Sequence, residues 1–264
     1  MGSATRGALA GTRAALAQLG RAELQVAEDL LAVGRVVGSS SQLRSALIDA
    51  EADDAQKRAL VESVFGAKIT ADAVTLVTAA ATRRWSSGDD FIAGLEDLGY
   101  RVAAESAGEG VQIDAELFAF ERAVASDDEL ELALGSKLSP LPPKLAIVDR
   151  LLAGKASPQT VAIVRHLVQQ PRGRRIGELL RHAASVVADQ RGFDVATVTT
   201  AVPLSADQLA RLAQGLVAQA GRRVRFDTIV DPAVIGGVRV QIGDDVIDGS
   251  VASRLSSLRQ KLAG

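Results

Sequence analysis

The hydrophobic pattern of most of the chain has the period of an α-helix. Between about residues 5 and 191, apolar side chains recur at intervals of three and four, as in Leu24, Ala27, Leu30, Leu31, Val33 and Val37. Asp53 stands shortly before QKRALVESVF and Thr70 directly before ADAVTLVTAAA, and both are typical N-cap residues. Gly66 and Gly88 stand where helices are expected to end. The pattern therefore predicts a long, purely helical region.

This helical region contains an internal repeat. A shift of 87 positions aligns about 40 residues without a gap and places KRALVESVFGAKITADAVTLV over KLAIVDRLLAGKASPQTVAIV. The N-cap candidate Thr70 falls on Ser157, which is also a capping residue. An ungapped register with matching cap positions indicates a duplication. We predict two related helical bundles, residues 1–108 and 109–191, which meet near Gly108.

The period changes after Gly192. FDVATVTTAV is typical of a strand, PLSADQLARLAQGLVAQAG of a helix, and RRVRFDTIV and VRVQI of two further strands. A last helix is expected from Ser250 to Leu262, because its apolar residues share one stripe. The order strand, helix, strand, strand, helix predicts a small α/β domain over residues 192–264. The predicted fold class is therefore mainly α with a small α/β part.

Composition restricts the kinds of partner and chemistry. Among the 264 residues, aromatic side chains make up only 3%, so the core must be built mainly from Ala, Val, Leu and Ile. The absence of cysteine excludes disulfides, thiolate catalysis and cysteine-bound zinc. A net charge of −2 provides no general basic field for nucleic acid. No apolar run reaches the length of a membrane span, so we expect no nucleic-acid partner and no direct membrane insertion.

The stretch GGVRVQIGDDVIDGSVASRL, residues 236–255, has the composition of a ligand-binding loop. Its glycines, however, lead into a strand, and the Gly-Lys-Ser/Thr of a phosphate-binding loop occurs nowhere. A calcium loop that began at Asp244 would need ligands where Val246 and Leu255 stand. We therefore interpret the stretch as a tight hairpin that leads into a capped helix, and we predict no cofactor and no metal.

The remaining chemically active side chains are few. The two histidines, His166 and His182, lie on predicted helices without a pattern of convergent carboxylates, so we expect structural roles and no catalytic residue. Two groups of arginines, within 172–175 and 222–225, are interpreted as solvated faces or, alternatively, as a charge-complementary protein interface. Trp85 is interpreted as a packing residue. This combination is more typical of a scaffold than of an enzyme.

The C-terminal sequence resembles the delta subunits of F-type ATP synthases, which are relatives of the mitochondrial oligomycin-sensitivity-conferring protein. In that family the last segment runs Asp-Pro-x-x-Ile-Gly-Gly, strand, Gly-Asp, short apolar run, Asp-Gly-Ser and a leucine-striped helix. Those places are occupied here by Asp231, Pro232, Ile235, Gly236, Gly237, Gly243, Asp244, Asp248, Gly249, Ser250, Leu255, Leu258 and Leu262. The helical repeats resemble the family's N-terminal bundle, which usually occurs once and is doubled in longer actinobacterial members. The family's first helix commonly carries Tyr-Ala-x-Ala-Leu, and GTRAALAQLG lacks that tyrosine.

The resemblance implies a role without chemistry of its own. Delta subunits belong to the stator, which ties the catalytic head to the b subunits so that rotor torque drives ATP synthesis. A helical bundle of this chain is then expected to bind the N-terminal helix of an alpha subunit, and the C-terminal domain to bind the C-terminal helices of the b subunits. The implied location is the cytoplasmic face of the bacterial cell membrane, as a peripheral protein.

Two alternatives remain open from the sequence. One is a generic helical-repeat adaptor with a different partner. The other is a small-molecule enzyme with a site between a bundle and the α/β domain, which the Asp- and Gly-rich C-terminal stretch suggests.

Overall fold

Helix caps decide where many of the helices begin. The structure is a computed structural model that describes residues 2–136, 139–220, 223–232, 234, 236–242 and 245–249. The helices of the first half are α1 (Ser3–Leu19), α2 (Leu24–Ser39), α3 (Ser41–Ile48), α4 (Asp54–Phe65), α5 (Ala71–Ala81) and α6 (Gly88–Ser106). Asp53 caps α4 and accepts a hydrogen bond from the backbone N–H of Gln56, whose side chain returns the bond. Thr70 caps α5 by accepting from Ala73.

The second half of the helical region follows the same plan. Its helices are α7 (Ile113–Ala125), α8 (Asp128–Gly135), α9 (Leu141–Leu152), α10 (Pro158–Gln169) and α11 (Ile176–Gln190). Helices α8 and α9 begin and end 87 positions after α3 and α4, and α10 begins 87 positions after α5. The N-cap of α10 is Ser157, 87 positions after Thr70. The helix bounds therefore carry the same offset as the sequence.

The two glycines that were expected to end helices, Gly66 and Gly88, stand at different ends of their helices. Gly66 is the C-cap of α4, as predicted. The expectation for Gly88 was wrong, because this residue begins α6, with Ser87 as the N-cap. Ser87 accepts from the backbone N–H of Asp90, and this cap chemistry outweighs the low helix propensity of a single glycine.

A carboxylate from a neighbouring helix fixes the start of α5 in the first half and of α10 in the second. Asp29 on α2 accepts a hydrogen bond of 2.8 Å from the backbone N–H of Thr70. Glu116 on α7 accepts one of 2.9 Å from the backbone N–H of Ser157. The two acids are 87 positions apart, as are the two caps. Each carboxylate satisfies an N–H at a helix start, where the dipole also favours negative charge.

Helix α6 is buried along most of its length, because helices from both halves pack against it. On one side α2 approaches so closely that a Cβ on Gly99 would lie 2.7 Å from the side chain of Leu31. Helix α10 packs against α6 and also against α2, α7 and α9. Residues from both halves thus share the compact unit Met1–Val187, and the division into bundles 1–108 and 109–191 stays a prediction.

The second compact unit, Ala188–Gly264, contains a four-stranded mixed sheet. Its elements are β1 (Phe193–Thr200), α12 (Ala206–Ala220), β2 (Arg223–Val230), β3 (Val238–Ile242) and β4 (Asp245–Asp248), and the strand order is β2-β1-β3-β4. Strands β1 and β2 are parallel because α12 crosses between them, whereas β3 is antiparallel to β1 and to β4. Ala196, Val198 and Val240 form the core.

The fold class is confirmed as mainly α with a small α/β part. Strand, helix, strand and strand follow in the predicted order, with β4 as an additional short strand. The predicted closing helix, Ser250 to Leu262, lies outside the described residues.

The carboxylates at these helix starts allow a test of how the helical unit is held together. We expect Asp29→Ala to lower the free energy of unfolding by about 1–3 kcal/mol, because it leaves the Thr70 N–H without its acceptor in a partly buried place. Glu28→Ala, on the exposed side of the same helix, should change it by less than about 0.5 kcal/mol. Urea unfolding of the two variants measures both quantities, and equal losses would contradict the role of Asp29.

Candidate functional site

The first part of the C-terminal motif turns the chain from β2 towards β3. The backbone N–H of Asp231 donates to the carbonyl of Thr200 at 2.8 Å, and the carbonyl of Asp231 accepts from Val234 at 3.1 Å. Pro232, which has no N–H, stands inside this turn, where no ladder hydrogen bond is needed. These residues therefore end the pairing of β1 with β2 and redirect the backbone.

Glycines stand at both ends of the β3–β4 hairpin. Gly236 and Gly237 have φ angles of 62° and 84°, in the left-handed region that favours glycine. Gly249 donates to the carbonyl of Val238 at 2.9 Å, and a Cβ on Gly249 would lie 3.1 Å from that oxygen. The glycines thus serve backbone geometry, in agreement with the interpretation of this stretch as a tight hairpin.

The hairpin presents its last strand to solvent. Ile242 pairs with Asp245 across the predicted turn, and Asp248 pairs with Arg239. Every residue of β4 is exposed, including Val246 and Ile247. Seven residues of the motif lie outside the described residues, and their roles stay predictions: Ile235, Gly243, Asp244, Ser250, Leu255, Leu258 and Leu262. Within the described ranges, no group of three or more His, Asp or Glu side chains could hold a metal ion.

The most concentrated charge in the described residues lies inside the helical unit. Glu96 on α6 is buried and accepts hydrogen bonds from His166, Arg172 and Arg174. Burial by itself would raise the pKa of Glu96. The hydrogen bond from His166 and the charges of Arg172 and Arg174 outweigh that effect, so the pKa of Glu96 lies below its ordinary value.

The three arginines in 172–175 have different surroundings. Arg172 turns inwards to Glu96, Arg174 also reaches Glu96 while 37% of its side chain stays exposed, and Arg175 is exposed. Arg172 is also the one non-glycine residue with positive φ in the described chain, at 50°. The interpretation as a solvated face was therefore wrong for Arg172. In the other arginine group, Arg223 and Arg225 stack on the ring of Phe193.

The two histidines differ in environment. His166 is buried on α10, with Nε2 3.3 Å from Glu96 Oε1 and Nδ1 3.0 Å from the Arg35 guanidinium. Its ring also makes an edge contact with the ring of Tyr100. His182 lies on the exposed side of α11. The sequence did not indicate this network, because its members lie far apart in the chain and have no fixed spacing.

Trp85 packs as predicted. Its indole N–H donates to the carbonyl of Ala80 at 2.8 Å, and its ring meets Phe91 edge-on at 5.7 Å. Gly94 leaves room for the indole, since a Cβ there would overlap the ring. Trp85 therefore fixes the connection between α5 and α6.

Comparison with known proteins identifies the family. A family model described as "ATP synthase delta (OSCP) subunit" matches residues 100–262. The matched range begins at Tyr100 in α6 and includes the second half of the helical region. None of the helices in the described ranges is long and apolar enough to cross a membrane.

Relatives match the chain over nearly its whole length. The "ATP synthase subunit delta" of Leifsonia xyli subsp. xyli is 55% identical and is covered completely, as is this chain. That of Beutenbergia cavernae is 37% identical over 94% of this chain and 93% of its own. That of Streptomyces griseus subsp. griseus is 36% identical, with complete coverage of both.

Relatives that share both halves of the helical region decide between the alternatives. A generic adaptor and a small-molecule enzyme are set aside, since these relatives are subunits of one known assembly. The chain therefore belongs to the ATP synthase delta (OSCP) subunit family and is a non-catalytic stator subunit of the peripheral stalk of an ATP synthase.

Proposed function

We propose that this chain ties the catalytic head to the b subunits through two separate surfaces. The first half of the helical region binds the N-terminal helix of an alpha subunit, and the C-terminal α/β domain binds the C-terminal helices of the b subunits. Within the complex, we expect the chain at the cytoplasmic face of the cell membrane. Family membership supports this proposal, and the packing of α2 on α10 favours the first half as the one that binds alpha.

Helix α10 and its equivalent α5 differ in one packing partner. Helix α10 packs against α6, α7 and α9, and 87 positions earlier α5 packs correspondingly against α1, α2 and α4. In the described residues each has a further partner, which is α2 from the other half for α10 and α6 from the same half for α5. We infer that the side of α5 equivalent to the one that α2 covers on α10 can accept a partner helix.

Small residues mark the side of α5 that we expect to accept a helix, and also the neighbouring α1. His166, whose Nδ1 accepts a hydrogen bond from Arg35 of α2, corresponds to Ala79 on α5. On the neighbouring α1, Gly7 is exposed, and a Cβ there would meet nothing within 4 Å. Small residues at such places let a second backbone approach closely, so an amphipathic helix can bury its apolar face between α1 and α5.

The matching helix bounds support a common origin of the two halves. We propose that residues 1–108 and 109–191 arose by duplication, because helices, caps and the carboxylates of Asp29 and Glu116 all recur at an offset of 87. The duplication leaves one half covered by its neighbour and the other free for a partner.

The mechanical task follows from this arrangement. The rotor exerts torque on the head, which turns with it unless the stator holds it. The two interfaces act in series, so the weaker one limits the tether. A contact of nanomolar affinity corresponds to about 12 kcal/mol, which one well-packed interface can supply.

Binding of the alpha subunit can be tested at Ala79. We expect Ala79→Glu to weaken the binding of an alpha N-terminal peptide by at least about tenfold, because burial of an unpaired carboxylate costs more than the 1.4 kcal/mol that tenfold requires. Ala59→Glu makes the same change on the exposed face of α4 and should leave binding unchanged. Isothermal titration with the full chain measures both. Normal binding by the Ala79 variant rules out the α1–α5 groove.

Binding of the b subunits can be tested by removal of the second unit. Deletion of residues 192–264 keeps all eleven helices of the first unit, which has its own core. We expect this variant to co-purify with alpha but not with b. Retention of b in the purified complex is the result that contradicts the assignment. Loss of both partners points instead to misfolding, which circular dichroism detects.

A further inference from the structure

Three side chains from three helices meet at the place where the two halves join. His166 lies on α10 of the second half, and Arg35 and Glu96 lie on α2 and α6 of the first. A guanidinium only donates hydrogen bonds, so His166 Nδ1 must accept from Arg35 with its lone pair. The ring proton is then on Nε2, which donates to Glu96 Oε1. This geometry requires a neutral imidazole in one tautomer.

We propose that His166, Arg35 and Glu96 form an acid-sensitive latch between the two halves, in which protonation of His166 breaks its contact with Arg35 and loosens α10 from α2. A proton on Nδ1 removes the lone pair and turns the atom into a second donor facing the guanidinium. Two donors and two positive charges then oppose each other in a buried place. Acidification therefore weakens the joint between the halves.

The other charged groups around α10 do not replace this contact. Arg172 and Arg174, from the loop after α10, bind Glu96, and the phenol of Tyr100 on α6 meets the histidine ring edge-on. On α7, Glu116 is bound to the first turn of α10, at the opposite end from His166. On α9, Asp149 pairs with Arg165 at the surface. If His166 is protonated, Glu96 is the one anion near it among the described residues.

The surroundings also keep the ring neutral. Burial lowers the pKa of His166, Glu96 raises it, and the charges of Arg35 and Arg172 lower it again, so the pKa lies below its ordinary value. The stabilisation is complete above about pH 6.5, where the unfolded histidine is also neutral. It is lost as the pH falls from there towards the folded pKa, because the unfolded state takes up the proton first. The pKa of Glu96 is itself lowered, so its own titration lies at more acidic pH.

The latch is a feature of the joint and not of the repeat. At the equivalent positions, 87 residues earlier, Ala79 replaces His166 and Leu9 replaces Glu96. In the part of the chain that the structure describes, the network therefore occurs only where one half covers the other. The latch depends only on these contacts, so it does not depend on which partners the chain binds.

Hydrogen exchange of the full chain tests the latch. Between pH 6.5 and 5.5, after correction for intrinsic rates, protection in α2 and α10 should fall by up to about tenfold, with α4 as the internal reference. Partial burial also lowers the pKa of His182, so the test is made in a His182→Gln background, where the pH dependence in α2 and α10 should persist. The added change His166→Gln should then remove it, and a pH dependence that persists in the double variant would overturn the proposal.

A second measurement needs no substitution of His166. Nitrogen-detected NMR of the imidazole should show the neutral Nε2–H form at pH 7. Arg35→Met should shift protonation of the His166 ring to higher pH, because it removes a nearby positive charge and the donor to Nδ1. A protonated ring at pH 7 or an Nδ1–H tautomer in the unmodified chain contradicts the latch, as does an unchanged titration in the Arg35 variant.

Discussion

The organisation of the helical unit depends on one buried carboxylate, that of Glu96. A carboxylate withdrawn from water is costly unless hydrogen bonds and opposite charges surround it. Here all three partners, His166, Arg172 and Arg174, come from α10 or the loop that follows it. The carboxylate on α6 can therefore be satisfied only when the second half of the helical region packs against the first.

Much of the fold could be predicted because its determinants are local. The caps Asp53, Thr70 and Ser157 were recognised from residue type and position, and strand periodicity was sufficient for the C-terminal sheet. The family was also identified from one continuous segment. The prediction for Gly88 was wrong, because the N-cap formed by Ser87 outweighs the low helix propensity of the glycine.

The candidate site was less predictable because its contacts join distant residues. Nothing in the spacing of Glu96, His166 and Arg35 indicates that they meet, and a surface role was assigned to Arg172, which turns inwards. Nor did the sequence show that α6 would serve both halves. Chain topology, and not local pattern, decides such cases.

The close packing of α2 on α6 at Gly99 bears on how this protein can evolve. A descendant that lost α1–α5 and kept α6 would expose Gly99 and its apolar neighbours on α6 to water, and the pair of Glu96 and His166 would remain without Arg35. Deletion alone would therefore not give a stable single-bundle chain, which would also need new polar residues along the uncovered helix. Each half has in this way become a condition for the stability of the other.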